Sequence, residues 1–176
     1  MNSFYKSIGL YDSLKFDIDM NTSEFVESLK KITYNTNTSF ISLIPDNGIP
    51  TRFEYRGTVN KNDFTIKRRL HFFDFNILHS VIMGSILEVN NKTSLEIKFK
   101  PFFFHFITMI ISTVFTMFIA SQISKDENNY FILVLPFFVA IIQYFILKRS
   151  IKRGKYDFLR ELNFIAQKNN SLKNIR

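Results

Sequence analysis

The stretch PFFFHFITMIISTVFTMFIASQI, residues 101–123, is 23 residues without a charged side chain. After six polar residues it is followed by YFILVLPFFVAIIQYFIL, residues 130–147, which is 18 more. At about 1.5 Å of rise per residue, either run crosses a hydrocarbon core roughly 30 Å thick, the second with little to spare. A helical hairpin in a soluble core keeps one face polar, and neither run has such a face. Phe102, Phe103, Phe104, Phe106, Ile107, Met109, Ile110 and Ile111 go all round the first helix, as Phe131 to Leu135 and Phe137 to Val139 go round the second. The expected fold class is therefore an α+β membrane protein: a small antiparallel sheet with an amphipathic helix in residues 1–100, a two-helix transmembrane hairpin (101–123 and 130–147), and a basic tail, 148–176, with a C-terminal amphipathic helix.

Working outward, the turn at 124–129 carries net charge −1, whereas Lys148, Arg149, Lys152, Arg153 and Lys155 follow the second run and Lys92, Lys98 and Lys100 precede the first. Basic residues at helix ends stay cytoplasmic, which predicts a multi-pass inner-membrane protein with both termini inside and the turn outside. Met1 to Phe16 lacks the apolar core of a signal peptide. Of the formal charge of +8, about +7 falls in residues 148–176, beside the bilayer and not on a folded DNA-reading face. The partners expected are the bilayer and its anionic lipid headgroups, with no nucleic acid. At roughly 1 kcal/mol each near an anionic leaflet, these cations hold the tail against the headgroups. With no cysteine, disulfides, thiolate chemistry and cysteine-rich zinc sites are absent. With no tryptophan, Tyr130, Tyr144 and Tyr156 are the amphipathic rings nearest the interfaces.

In the N-terminal hundred residues, Leu14, Phe16, Ile18 and Met20 alternate with Lys15, Asp17 and Asp19 as a strand does. Asn21 stands three residues before Glu24, as in a capping box, and Phe25, Val26, Leu29 and Ile32 recur at helical spacing. Tyr34 to Ser39 and Pro45 to Gly48 read as loop and turn, with Phe40 to Ile44 a short strand between them. Arg52–Val59, Phe64–Phe72, Val81–Val89 and Ser94–Lys100 are four strands of an antiparallel meander with tight connections at 60–63 and 90–93. Arg68 interrupts the apolar row of the second, which predicts a bulge or a strand leaving the core there. The fourth runs into Pro101 at a helix start, so sheet and membrane are joined without a flexible linker. In the tail, Phe158, Leu162 and Ile165 share a helical face that can cover the sheet or lie on the membrane, the sheet being favoured because its apolar rows need a cover.

The chemistry is sparse. There is no phosphate-binding glycine loop, metalloprotease histidine pair, nucleophile elbow or EF-hand. No cofactor and no metal site is expected. The one compact polar group, His71, Asp74, Asn76 and His79, has generic spacing and underlies only the third-ranked alternative, a membrane-bound enzyme. Arg52, Arg56, Lys67, Arg68 and Arg69 fall on adjacent strands and, with Lys148, Arg149, Lys152 and Arg153, are candidate contacts for an anion or headgroup, Arg68 foremost. The competing reading of the strand residues is a solvated face opposite Glu54 and Glu96. Ser112, Thr116 and Ala120 make a stripe of small residues, with Pro136 and Ala140 as a matching surface for packing within the hairpin or in a homo-oligomer. Pro136 is a candidate kink, and Gln143 needs a partner, with Thr113 and Thr116 the nearest candidates across the hairpin.

The motifs Arg56-Gly57, Phe64-x-Ile66-x-Arg68, Phe75-Asn76 and Val81-Ile82-x-Gly84-x-Ile86, followed by the two apolar runs, resemble a family of small bacterial membrane proteins of uncharacterised activity. In these a cytosolic strand-rich segment precedes a transmembrane pair. The resemblance covers about residues 52–147 and implies no activity. The chain departs from it in having His79-Ser80 where such proteins often carry proline. The leading expectation is a non-enzymatic protein whose cytosolic domain binds a protein partner or lipid headgroup and is coupled to the hairpin. The alternative is a ligand-sensing effector that oligomerises and perturbs the membrane.

Overall fold

The computed structural model describes residues 2–36, 38, 44–70, 79–90, 92–127 and 130–173. In chain order these form α1 (Asn2–Ser7), β1 (Asp12–Ile18), α2 (Thr22–Ile32), β2 (Thr33–Asn35), β3 (Tyr55–Val59), β4 (Asp63–Arg68), β5 (Val81–Val89), β6 (Lys92–Lys100), α3 (Phe103–Glu127) and α4 (Leu135–Lys173). Short 3-10 turns stand at Asp46–Gly48 and Tyr130–Val134. The fold is mixed α+β. One six-stranded sheet has the order β1-β6-β5-β4-β3-β2, antiparallel at every pairing except β2 with β3.

Alternation along the strands sets the two faces. On β6, Thr93, Leu95, Ile97 and Phe99 are buried while Ser94, Glu96, Lys98 and Lys100 are less so, and in register with them Ile82 and Ile86 on β5 and Phe64 and Ile66 on β4 are buried. Over this inner face lies α2, whose Asn21 side chain accepts from the Ser23 N–H as an N-cap and whose Phe25, Val26 and Leu29 are buried. The rest of the cover is the C-terminal half of α4. There Leu147, Ile151, Phe158, Leu162 and Ile165 make one buried stripe. Phe158 stands among Tyr55, Phe64 and Phe99, with ring centroids 5.7, 5.7 and 6.4 Å away.

Several expectations change. β3 and β4 are shorter than their apolar patterns, beginning at Tyr55 and ending at Arg68, and Thr33–Asn35, at the edge of the expected loop, is a parallel edge strand. α1 has no sequence counterpart, being too short for periodicity to register. The second apolar run and the tail helix are not separate: α4 is one helix of 39 residues that does not break at Leu147. Pro136 stands in the first turn of α4, where proline is tolerated, directly after the 3-10 turn at Tyr130–Val134. The expected strand at Phe40 to Ile44 lies outside the described residues but for Ile44, which is in no strand.

α3 and α4 each contain a segment long and apolar enough to cross a membrane. The helices of a soluble core bury most of such a segment. Here only 6% of the apolar window of α3 and 11% of that of α4 are buried. The side of α3 that is withdrawn from solvent carries the small stripe: Ser112 and Thr116 are half-buried and Ala120 is buried, as is Pro136 on α4. Gln143 finds its partner in this seam, donating to Ser112 Oγ at 2.7 Å and not to Thr113 or Thr116. Both threonine hydroxyls donate to carbonyls of their own helix.

Candidate functional site

Two polar groupings meet where the sheet passes into the hairpin. The first lies between the inner face and α4. Position 68 belongs by parity to the apolar row of Phe64 and Ile66, and the strand ends there without a bulge. Arg68 uses the core side to bridge two elements, with Nε donating to Glu54 Oε1 at 2.8 Å and Nη1 to Asp157 Oδ2 on α4 at 2.7 Å. Burial disfavours its charge, but the two carboxylates more than offset this and hold its pKa above the ordinary arginine value. Arg153, one turn earlier, adds a second cation 3.7 Å from Asp157. Burial, reinforced by the carboxylates of Glu161 and Asp157, pushes the Tyr55 phenol up and keeps it protonated.

Alongside, Gly154 lets α4 approach the start of β5. A Cβ built on Gly154 would stand 2.1 Å from Ser80 Oγ. Tyr55, Arg68, His79, Ser80, Ser150 and Gly154 line a cavity of ≈ 10 Å³. That is about the space one water needs, so the grouping takes no metabolite. It acts as a clamp fixing the register of α4 on the sheet.

The second grouping is basic and lies at the base of the hairpin. Lys100 directly precedes the entry to α3, and the Lys67 ammonium stands 5.4 Å from the ring centre of Phe102. Lys148 lies along Gly9, its ammonium 5.7 Å from the Tyr144 ring. Tyr144 donates to the Ile8 carbonyl at 2.6 Å, and Tyr5 meets Phe106 edge to face, so α1 and the residues after it pack against the hairpin base. Among the described residues, Lys6, Lys67, Lys100, Lys148, Arg149 and Lys152 have no carboxylate at ion-pair distance. Arg153 and Lys155, further along α4, have Asp157 and Asp12.

The arginines expected to gather as one anion site do not. Arg56 is buried against Asp46 and also donates to the Ile44 carbonyl. Arg69 is buried and donates to the Ile49 carbonyl at 2.6 Å. Arg52 lies over the Phe53 ring. Arg68 faces the opposite side of the sheet from Arg56 and Lys67, because successive residues of a strand point to opposite faces. Of the two acids expected to face them, Glu54 pairs with Arg68, whereas Glu96 registers with Lys15 and Ser85. Burial raises the Asp46 carboxyl, but the Leu70 N–H, the Arg56 guanidinium and the Lys67 charge together hold it below the ordinary value of 3.8. His71, Asp74 and Asn76 lie outside the described residues, and among the described residues no three metal-binding side chains converge.

Asp157 and Lys100 went unread as site residues. A signal was present for the first: Asp157 adjoins the apolar stripe of α4 as Arg68 interrupts that of β4, two opposite charges misplaced by the pattern of their own elements. No family model, curated protein or solved structure matches the chain.

Proposed function

We propose that the protein is a non-enzymatic component of the bacterial inner membrane, crossing it twice with both termini cytoplasmic. In this reading its α+β domain binds anionic headgroups or a protein partner and is mechanically coupled to the hairpin. The observation that carries it is the unbroken α4, whose first half exposes Leu135, Phe137, Phe138, Ile141, Ile142 and Phe145 and whose second half supplies Phe158 and Leu162, both 0% exposed, to the domain core. A rigid helix with one half suited to lipid and the other built into a sheet transmits displacement between them. The two-residue passage from Lys100 to Phe103 supports the same coupling at the other helix. The six cations without ion pairs at the hairpin base suit the negative potential of a cytoplasmic leaflet. An effector that opens a pore would line it with Ser112 and Thr116, and these turn toward α4 within the hairpin.

Because the native chain has no cysteine, single cysteines report topology directly. With Lys125→Cys, a membrane-impermeant maleimide is expected to label intact spheroplasts. With Lys168→Cys, it is expected to label only after lysis, both proteins staying in the membrane through an alkaline carbonate wash. Release by carbonate, or the opposite labelling pattern, would overturn the proposal.

A further inference from the structure

On the outer face of the sheet, Arg56, Lys67, Val81 and Lys100 stand side by side across β3, β4, β5 and β6. This row lies at the end of β6 that leads through Pro101 into α3. Arg56 is neutralised by Asp46, which takes Arg56 on Oδ1 and the Leu70 N–H on Oδ2. Asp46 is thereby engaged, and Lys67 is left half-buried with the face of Phe102 as its neighbour. Burial lowers the Lys67 pKa, Asp46 partly opposes this, and Arg56 adds to it. Among the described residues the carboxylate that acts on this partly desolvated ammonium is Asp46, which it shares with Arg56, so its charge is under-compensated and a bound anion removes the cost. Lys67 and Lys100 are separated by two strand spacings, about 10 Å, and their flexible four-carbon stems can converge on one small anion between them.

We propose that Lys67 and Lys100 together hold the anionic phosphate of a phospholipid headgroup at the junction of the sheet and α3. The source is lipid because the apolar surface of α3 begins immediately beyond the site, with Phe103 73% exposed. Acyl chains then continue along the helix from the phosphate. The inference rests on the hairpin residing in a membrane, and adds to it a single stoichiometric lipid contact.

The test is native mass spectrometry of the full-length protein in neutral detergent, titrated with phosphatidylglycerol or phosphatidylcholine. The wild type is expected to retain one phosphatidylglycerol about fivefold more tightly than Lys67→Gln. Lys67→Arg is expected to keep most of that preference, and phosphatidylcholine to bind both proteins alike. Lys61→Gln, at an exposed position between β3 and β4, is expected to retain phosphatidylglycerol as the wild type does. Without lipid, Lys67→Gln should melt no lower than the wild type, since it removes a desolvated charge. Equal retention by Lys67→Gln and wild type would overturn the site, as would an equal loss in Lys61→Gln, which marks diffuse surface charge. Displacement of phosphatidylglycerol by millimolar inorganic phosphate would overturn the lipid source. Failure of membrane residence is read separately, from the carbonate wash.

Discussion

Asp46 and Arg68 show how single charged groups are made tolerable in a small core. Each is partly withdrawn from water, and each has its charge matched in two directions, Asp46 by Arg56 and the Leu70 N–H, Arg68 by Glu54 and Asp157. Because the folded pKa of Asp46 lies below its ordinary value of 3.8, the unfolded chain binds the proton more readily. Its contribution to stability is complete above that value and is lost as pH falls through the folded pKa. Acid titration of unfolding is therefore expected to be shallower for Asp46→Asn than for the wild type below pH 3.8, and unchanged in slope at neutral pH. An identical acid limb in both proteins would show that Asp46 is not held in its charged form. The pairing partners were only partly legible. That Arg68 violates its apolar row could be read from residues 64–72, but its second carboxylate is 89 positions away and no local pattern reaches so far.

At the scale of elements, α4 is held against the sheet by an apolar stripe and a close approach at Gly154. Alanine at 154 gains helix propensity of about 1 kcal/mol but collides with the Ser80 hydroxyl. The expected outcome is a coupled pair. Gly154→Ala alone is neutral or destabilising by about 1–2 kcal/mol, while in the background of Ser80→Ala the same change stabilises by about 1 kcal/mol. A double-mutant cycle of chemical unfolding in detergent measures this, and additivity within a few tenths of a kcal/mol would mean that the contact is absent. Most elements could be read from sequence because period two and period 3.6 are strong over β1, α2, β5 and β6, and because the two apolar runs are long and uncharged. β3 starts late, after a turn at 51–52 and Glu54, which pairs with Arg68, and β4 ends at that same Arg68. The apparent break after Leu147 was a change of composition along one helix, from an uncharged apolar segment to a half-exposed domain face, and not a change of conformation.

For the whole molecule, the consequence is that the folded domain is discontinuous in sequence: the sheet ends at Lys100, and half of its cover begins near Leu147 and runs to Ile165. A chain in which residues 1–100 are joined by a short glycine-serine linker to residues 148–173 is expected to be soluble without detergent. It should protect the β5 and β6 amides from exchange, while residues 1–100 alone should not. Aggregation of the joined chain, or equal protection without residues 148–173, would refute this arrangement. The sequence indicated that Phe158, Leu162 and Ile165 could cover the sheet, but composition placed them in a separate basic tail. Only the three-dimensional path shows that one helix supplies both the apolar hairpin and the cover of the sheet.

That path also imposes an order on biosynthesis. When the ribosome has completed β6, the apolar face bearing Phe64, Ile82 and Phe99 still lacks Phe158 and Leu162, which lie some 60 residues downstream, beyond both hydrophobic runs. At 5–20 residues per second that interval lasts roughly 3 to 12 s, during which a nascent sheet covered on this face by α2 waits for the second half of its cover. On the reverse side Ser94, Glu96, Lys98 and Lys100 of β6, and at the margin the short charged β1, disfavour pairing of the unfinished sheet with its neighbours on the polysome until its own C-terminus arrives.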